Sequence, residues 1–232
     1  MLHRRSPIAA VGAVLVTLTV AAPASARIIE VGAVPQEATP TCPSSPCLAI
    51  SRTTGYQTKA VDSRSAFVVP APGKIVAWTV HLGNPDRRQI AFFDDNYGAA
   101  SAGLSVLRRS KRLFGRVMAQ TPIEQLTPYF GQEVQFPLDR ALDVKRGQII
   151  ALTVPTWAPA LTQLVTDGSS WRASRPLNGC EDTDRQTAQT RVGQLTQYRC
   201  RYRARLTYSA TLITQPRPNV EREEREPQRA GR

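Results

Sequence analysis

Four arginines stand at alternate positions near the end of the chain: Arg199, Arg201, Arg203 and Arg205. On one extended strand they would share a face, about 7 Å apart. Guanidiniums at that spacing repel unless anions or acidic neighbours separate them. The chemistry that suits such a ladder is the gripping of an anionic glycan, a phosphate polymer or a nucleic acid, because planar guanidiniums bind oxyanions in a bidentate way. The alternative is pairing with Asp or Glu on a neighbouring strand. Tyr202 would point to the opposite side, so the aromatic interleaving that binds single-stranded nucleic acid is missing from this face.

Trp157 and Trp171 are the other ligand-binding candidates. They lie in loop-like stretches beside Pro155, Pro159 and Ser169-Ser170, and an exposed indole stacks on a sugar face at small entropic cost. Indoles that cover one end of a core are the alternative. Of the two histidines, His3 and His81, only His81 lies beyond the N-terminal leader. As a general base it would need an orienting carboxylate and a nucleophile, and the sequence supplies no matched pair. The run from Gly98 to Gly103 misses the spacing of a nucleophile elbow. Asp94-Asp95-Asn96 and Glu181-Asp182-x-Asp184 could offer hard oxygen ligands to Ca²⁺, yet Asp and Asn also cap turns, which is the preferred reading. A hydrolase would require two acids, or His81 and an acid, to converge in one pocket. No catalytic residue, metal site, nucleotide or other cofactor is assigned.

The leader itself has three parts. Arg4 and Arg5 precede an uncharged apolar run at 8–22, and Ala24-Ser25-Ala26 is a small-residue cleavage site. That is the layout of a secretory signal peptide at 1–26, too short to be a membrane span. A secreted protein, extracellular or associated with the cell wall, is expected, without a transmembrane segment after cleavage. Cleavage would leave 206 residues, one domain's worth, carrying +10 of the chain's +12 charge. All but four of the 30 cations are Arg, the exceptions being Lys59, Lys74, Lys111 and Lys145. The basic surplus suits an acidic partner, although ordinary solvated positions would also account for it. The four cysteines form two local pairs in sequence, and an even count in a secreted chain implies disulfides. Of three connectivities, Cys42–Cys47 with Cys180–Cys200 closes the shortest loops. A four-Cys zinc site has the wrong spacing.

What must position these residues is a series of short period-two runs between turn residues. Strands are expected at 48–52, 66–69, 74–83, 90–93, 104–108, 116–120, 133–138, 148–155 and 198–212. Within 74–83, Val76, Trp78, Val80 and Leu82 share one face. No amphipathic helix stands out beyond a single turn at 123–126. Residues 156–160 and most of 167–197 read as loop, 27–41 as a lead-in, 42–214 as the domain and 215–232 as a disordered charged tail. The fold class that follows is all-β, an antiparallel two-sheet sandwich of eight to nine strands.

Phe67…Pro70-Ala71-Pro72-Gly73-Lys74-Ile75-x-x-Trp78, then Leu104-x-Val106, then Pro137-Leu138…Leu142-x-Val144-Lys145-Arg146-Gly147-Gln148-Ile149-Ile150-Ala151-Leu152 carry a resemblance. Over 66–154 the chain resembles a group of secreted actinobacterial proteins of unknown function. The resemblance implies a jelly-roll-like sandwich and an extracytoplasmic address, and it brings no active site. The leader, the disulfides, the basic surplus and the loop tryptophans point to non-enzymatic binding of an extracellular or cell-wall polymer, an anionic glycan. The alternatives are a structural or protein-interaction module of the envelope with an envelope protein as partner, and a secreted hydrolase.

Overall fold

The computed structural model describes residues 26–33, 38–162 and 168–215. The expected leader, up to Ser25, and the expected tail, from Pro216 on, lie outside the described residues. Residues 26–216 make up one compact unit. Its strands are β1 (Ile28–Val31), β2 (Ile50–Lys59), β3 (Gly73–His81), β4 (Ser101–Arg109) and β5 (Phe114–Gln120). There follow β6 (Glu124–Gln125), β7 (Glu133–Val144), β8 (Ile149–Ala158), β9 (Leu161–Thr162) and β10 (Ser170–Ala173). The last are β11 (Leu195–Gln197), β12 (Cys200–Tyr202), β13 (Arg205–Leu206) and β14 (Tyr208–Thr214).

Every pairing is antiparallel. A small sheet runs β1-β14-β3-β7 and a large one β11-β5-β4-β8-β2-β10-β12, with β6 beside β4 and a separate β13-β9 pair. The two main sheets pack face to face, so the all-β sandwich holds. The fourteen strands exceed the eight or nine expected, because 198–212 divides into three and the short strands β1, β6, β9, β10 and β11 form outside the expected runs. The strand expected at 66–69 is only an isolated bridge from Val68 to Ile149.

Trp78 and Val80 of β3, Leu104 and Val106 of β4, and Ile150, Leu152 and Val154 of β8 fill the core. Trp78 stacks on Phe136 with centroids 4.8 Å apart. Each such side chain contributes about 1.5–3 kcal/mol through burial. On β3 the expected face is broken at one point. A register shift between Ile75 and Ala77 buries Ile75 and leaves Val76 half-buried. Thr79 and His81 keep the outward phase, opposite Trp78 and Val80. Pro137 is tolerated on β7 because that strand is an edge, with one side needing no donor.

The expected strand at 90–93 is instead part of a helix, α1 (Arg87–Tyr97). A four-residue apolar run fits either period, and the start signal decides. Asp86 Oδ1 accepts from the backbone N–H of Arg88 and Gln89 at 2.8 and 2.9 Å, and Gln89 Oε1 accepts from the Asp86 N–H at 2.9 Å. This reciprocal capping box nucleates the helix. Ile90, Phe93 and Tyr97 then share a helical face against the core, and Gly98 at φ 83° ends it.

Further expectations are corrected. The run at 198–212 is not one strand: it bends at 203–204 and its pieces β12, β13 and β14 belong to three sheets. The lead-in supplies β1, and Val31 is core. Residues 156–158 continue β8 rather than forming a loop. Pro155 fits there because β4 stops pairing at Thr153 and the β2 register slips between Ser51 and Thr53, where Arg52 takes φ 44°. Residues 124–125 form β6, not a helical turn. The loop expected at 167–197 contains β10 between β2 and β12. Gly55 is required beneath Trp171, where an added Cβ would sit 2.8 Å from the indole.

Both disulfides form as paired in the sequence reading, Cys42–Cys47 and Cys180–Cys200. Among the described residues no helix is long and apolar enough to cross a membrane. Reduction of the purified protein should lower its thermal midpoint mainly through Cys180–Cys200, which closes 20 residues. Changing both of these cysteines to Ser should cost about 3 kcal/mol in denaturant unfolding.

Buried tyrosines set a limit in alkali. Burial pushes the Tyr198 hydroxyl well above the usual tyrosine range, with Tyr56 and Tyr208 adding to it. Burial likewise raises Tyr208, and it raises Tyr56 against the opposing pull of Arg109 and Arg172. The unfolded chain releases these protons near pH 10 while the folded chain retains them. Stability is therefore full below about pH 10 and falls as pH rises beyond it. Urea midpoints measured across that range should fall, and those of a Tyr198→Phe variant should fall less steeply.

Candidate functional site

The strand β8 is buried on both faces from Ile149 to Val154. One face meets the small sheet. The other must be covered by something else, and the segment 174–198 does this with a ring of polar groups. Thr54 Oγ1 lies 3.1 Å from Thr153 Oγ1, which lies 2.6 Å from Ser105 Oγ. Gln120 Nε2 donates to Ser105 Oγ at 3.0 Å and to the Gln189 carbonyl at 2.8 Å. The Gln189 N–H donates to Thr54 Oγ1 at 2.9 Å, which closes the ring. Tyr198 donates its hydroxyl proton to Gln189 Oε1 and lies over Gly115. All of these groups are buried or half-buried, so each bond carries the cost of the group it satisfies.

The same segment is tied at its rim. Asp182 Oδ1 accepts from the N–H of Asp184 and Arg185 at 3.1 and 3.0 Å, so this acid caps a turn. Arg52 donates to the Asp184 and Asn96 carbonyls and lies over Tyr97. Ser174 Oγ donates to the Thr187 carbonyl at 2.7 Å.

Between this segment and β11–β12 lies a recess of about 510 Å³ next to the Cys180–Cys200 bond. Arg185 and Arg199 line it with Thr196, Gln186 and Gln197, and no carboxylate does. Gln186 and Gln197 spend their amide protons on the Pro155 and Arg112 carbonyls. The Arg185 and Arg199 guanidiniums make no hydrogen bond or ion pair with any described residue. Chemically the recess offers two unengaged guanidiniums and the Thr196 hydroxyl on a disulfide-tethered backbone, which suits an oxyanion.

The ladder is dispersed. Arg199 lines the recess. Arg201 is exposed on β12, donates to Ser170 Oγ at 3.0 Å and lies directly across from Arg172, another cation. Arg172 in turn donates to the Tyr198 and Arg199 carbonyls, both at 3.0 Å. Arg203 is exposed at the bend. Arg205, on β13, is buried and lines a cleft at the other sheet. Among the described residues Arg199, Arg201 and Arg203 have no acidic partner, and Lys74–Asp143 at 2.7 Å is the ion pair seen. Pairing across strands, the alternative reading of the ladder, is therefore not how these three are balanced.

Both candidate tryptophans are buried, contrary to the expectation of exposed indoles. Trp157 is fully buried, donates Nε1–H to Asp94 Oδ1 at 2.8 Å and stacks on Phe93 at 4.6 Å. Trp171 is 3% exposed and stacks on Tyr202 at 4.6 Å. Neither offers a face to a sugar. Asp94 is thus a helix-to-core strut, and among the described residues no three His, Cys, Asp or Glu side chains gather in a metal-holding group.

A second concavity, about 640 Å³, lies over the outward face of the small sheet. It brings together His81 and Glu133, which are directly opposed on β3 and β7, with Glu30 and Arg205. The sequence names His81 but not the acid that stands opposite it. Glu30, Glu133 and Arg185 carry no motif, and only the strand register or loop path gathers them. Compared with known protein families, curated proteins and solved structures, the chain matches none.

Thr153→Val keeps the volume of the central hydroxyl in the ring but removes its bonds to Thr54 and Ser105. Urea unfolding should show a loss of about 1–3 kcal/mol. Amide exchange should quicken most at 187–190, which the ring holds down.

Proposed function

We propose that this is a secreted, non-enzymatic β-sandwich that holds an extracellular or cell-wall polymer, an anionic glycan, through its basic recess. The observation that carries the reading is the pair Arg185 and Arg199, lining one recess with no carboxylate and no partner for either guanidinium among the described residues. Exposed Arg201, set against Arg172, extends the positive field beside it. The leader sequence and the two disulfides support an extracytoplasmic setting. The burial of Trp157 and Trp171 shifts recognition from stacking to charge.

A second reading, an interaction module of the envelope, draws on the edge strand β11. Leu195 on it is 50% exposed, and Val192, in the turn just before it, is 63% exposed. It predicts a specific protein cross-link and no glycan affinity.

Polygalacturonate and a glycerol-phosphate polymer are the probes that test the first reading. At low salt both should bind, and affinity should fall steeply with ionic strength as counterions are released. Arg185→Gln with Arg199→Gln should weaken binding at least about tenfold and flatten the salt dependence. The melting temperature should hold, since neither side chain supports the fold. No binding by the native protein at low salt, or undiminished binding by the double variant, would overturn the reading.

A further inference from the structure

The large sheet presents cations, but the outward face of the small sheet has a different chemistry. At the cleft end of its strands the outward side chains are Glu30 on β1, Ser209 and Thr211 on β14, Thr79 and His81 on β3, and Glu133 and Gln135 on β7, while exposed Ile28 and Ile213 and the Lys74–Asp143 pair lie at the other end. Cross-strand register places Ser209 beside Thr79, Thr79 beside Gln135, and His81 beside Glu133. Neighbours on such a face are about 4.8 Å apart between strands and about 6.8 Å apart along them. The result is a flat grid of mixed donors and acceptors under a cleft of about 640 Å³, within the usual range for small-ligand sites.

The grid already shows what it bonds. Glu30 takes the Ser209 hydroxyl on one carboxylate oxygen at 2.5 Å and the Thr211 hydroxyl on the other at 2.8 Å. One carboxylate thereby accepts two neighbouring hydroxyls, which is how a carboxylate holds a sugar diol. Glu133 has the same chemistry and no hydrogen bond or ion pair with any described residue. Gln135 turns its amide nitrogen to Thr79 and Thr211 at 3.4 and 3.3 Å, which leaves its carbonyl for a donor. His81 adds a ring nitrogen at the Glu133 end.

The charge pattern narrows the ligand. Two carboxylates line the cleft, and its one arginine, Arg205, is 7% exposed, so a polyanion is disfavoured. No three-acid group is present among the described residues to hold a cation. Apolar lining is limited to Tyr208 and small residues, so an aliphatic ligand gains little. We propose that the outward face of the small sheet binds a neutral oligosaccharide, with Glu133, His81, Gln135 and Thr79 as the hydroxyl-reading groups. This site lies on the opposite sheet from the basic recess and stands independently of it.

The test uses the full chain and a panel of neutral cello-, xylo-, manno- and chito-oligosaccharides. Amide shifts should move at 79–81, 133–135 and 209 with at least one member at millimolar concentration. Glu133→Ala should weaken that binding at least about tenfold while the thermal midpoint holds, since the side chain is exposed. The Arg185→Gln, Arg199→Gln double variant should bind the saccharide as the native protein does. Release of new reducing ends would support the site and would overturn the non-enzymatic reading above. No shift at these positions with any neutral probe, or undiminished binding by Glu133→Ala in a folded protein, would overturn the proposal.

Discussion

Strand β8 is buried on both faces from Ile149 to Val154, and the rest of the structure answers to that. A sandwich of two sheets covers only one side of each. The inward side of β8 meets Tyr208, whose hydroxyl reaches the Ile150 carbonyl at 2.9 Å. The outward side would expose Ile149 and Ala151 if nothing lay over it. A strand of this kind is common where both faces of a sheet are covered by helices. Here the cover is an irregular segment, which must bury its own backbone polar groups. The Thr54–Thr153–Ser105–Gln120–Gln189 ring satisfies them, and the Cys180–Cys200 bond limits how far the segment can lift.

That cover also decides where charge can be displayed. Because 174–198 is folded down over the sheet, its rim is held in place and Arg185 is brought to Arg199, fourteen positions later in the chain. Arg172 contributes differently. By donating to the carbonyls at 198 and 199 it fixes the chain entering β12, so one cation of the group is structural and leaves its neighbours to the solvent. The small sheet, with no such cover among the described residues, keeps a polar outward face at its cleft end. The two sides of the sandwich therefore present unlike chemistry, cationic on one and hydroxyl-and-carboxylate on the other, separated by a common core.

Particular residues show how far the sequence could be read. The strand around Trp78 was legible because outward Thr79 and His81 alternate with inward Trp78 and Val80, and period two needs no tertiary information. The exchange of Ile75 for Val76 was not, since a bulge is set by the partner strand's register with β7. The four residues at 90–93 fit a strand as well as a helix, and the capping box of Asp86 and Gln89 is the local signal that decides for the helix at 87–97. The arginine ladder was read as one strand because 199–205 keeps its alternation. The bend at 203–204 breaks it, and Arg205 is carried to the other side of the core.

By itself the sequence determined the antiparallel β class, the two disulfide pairs and the basic surplus. These follow from local periodicity, short loop closure and composition, none of which depends on distant partners. Tertiary structure alone decided that Trp157 and Trp171 are core, that Asp94 braces a helix against Trp157, and that Arg185 and Arg199 line one recess. It alone set Glu133 beside His81. Those outcomes depend on strand order and on which segment covers β8, and both are fixed by long-range packing that no spacing along the chain encodes.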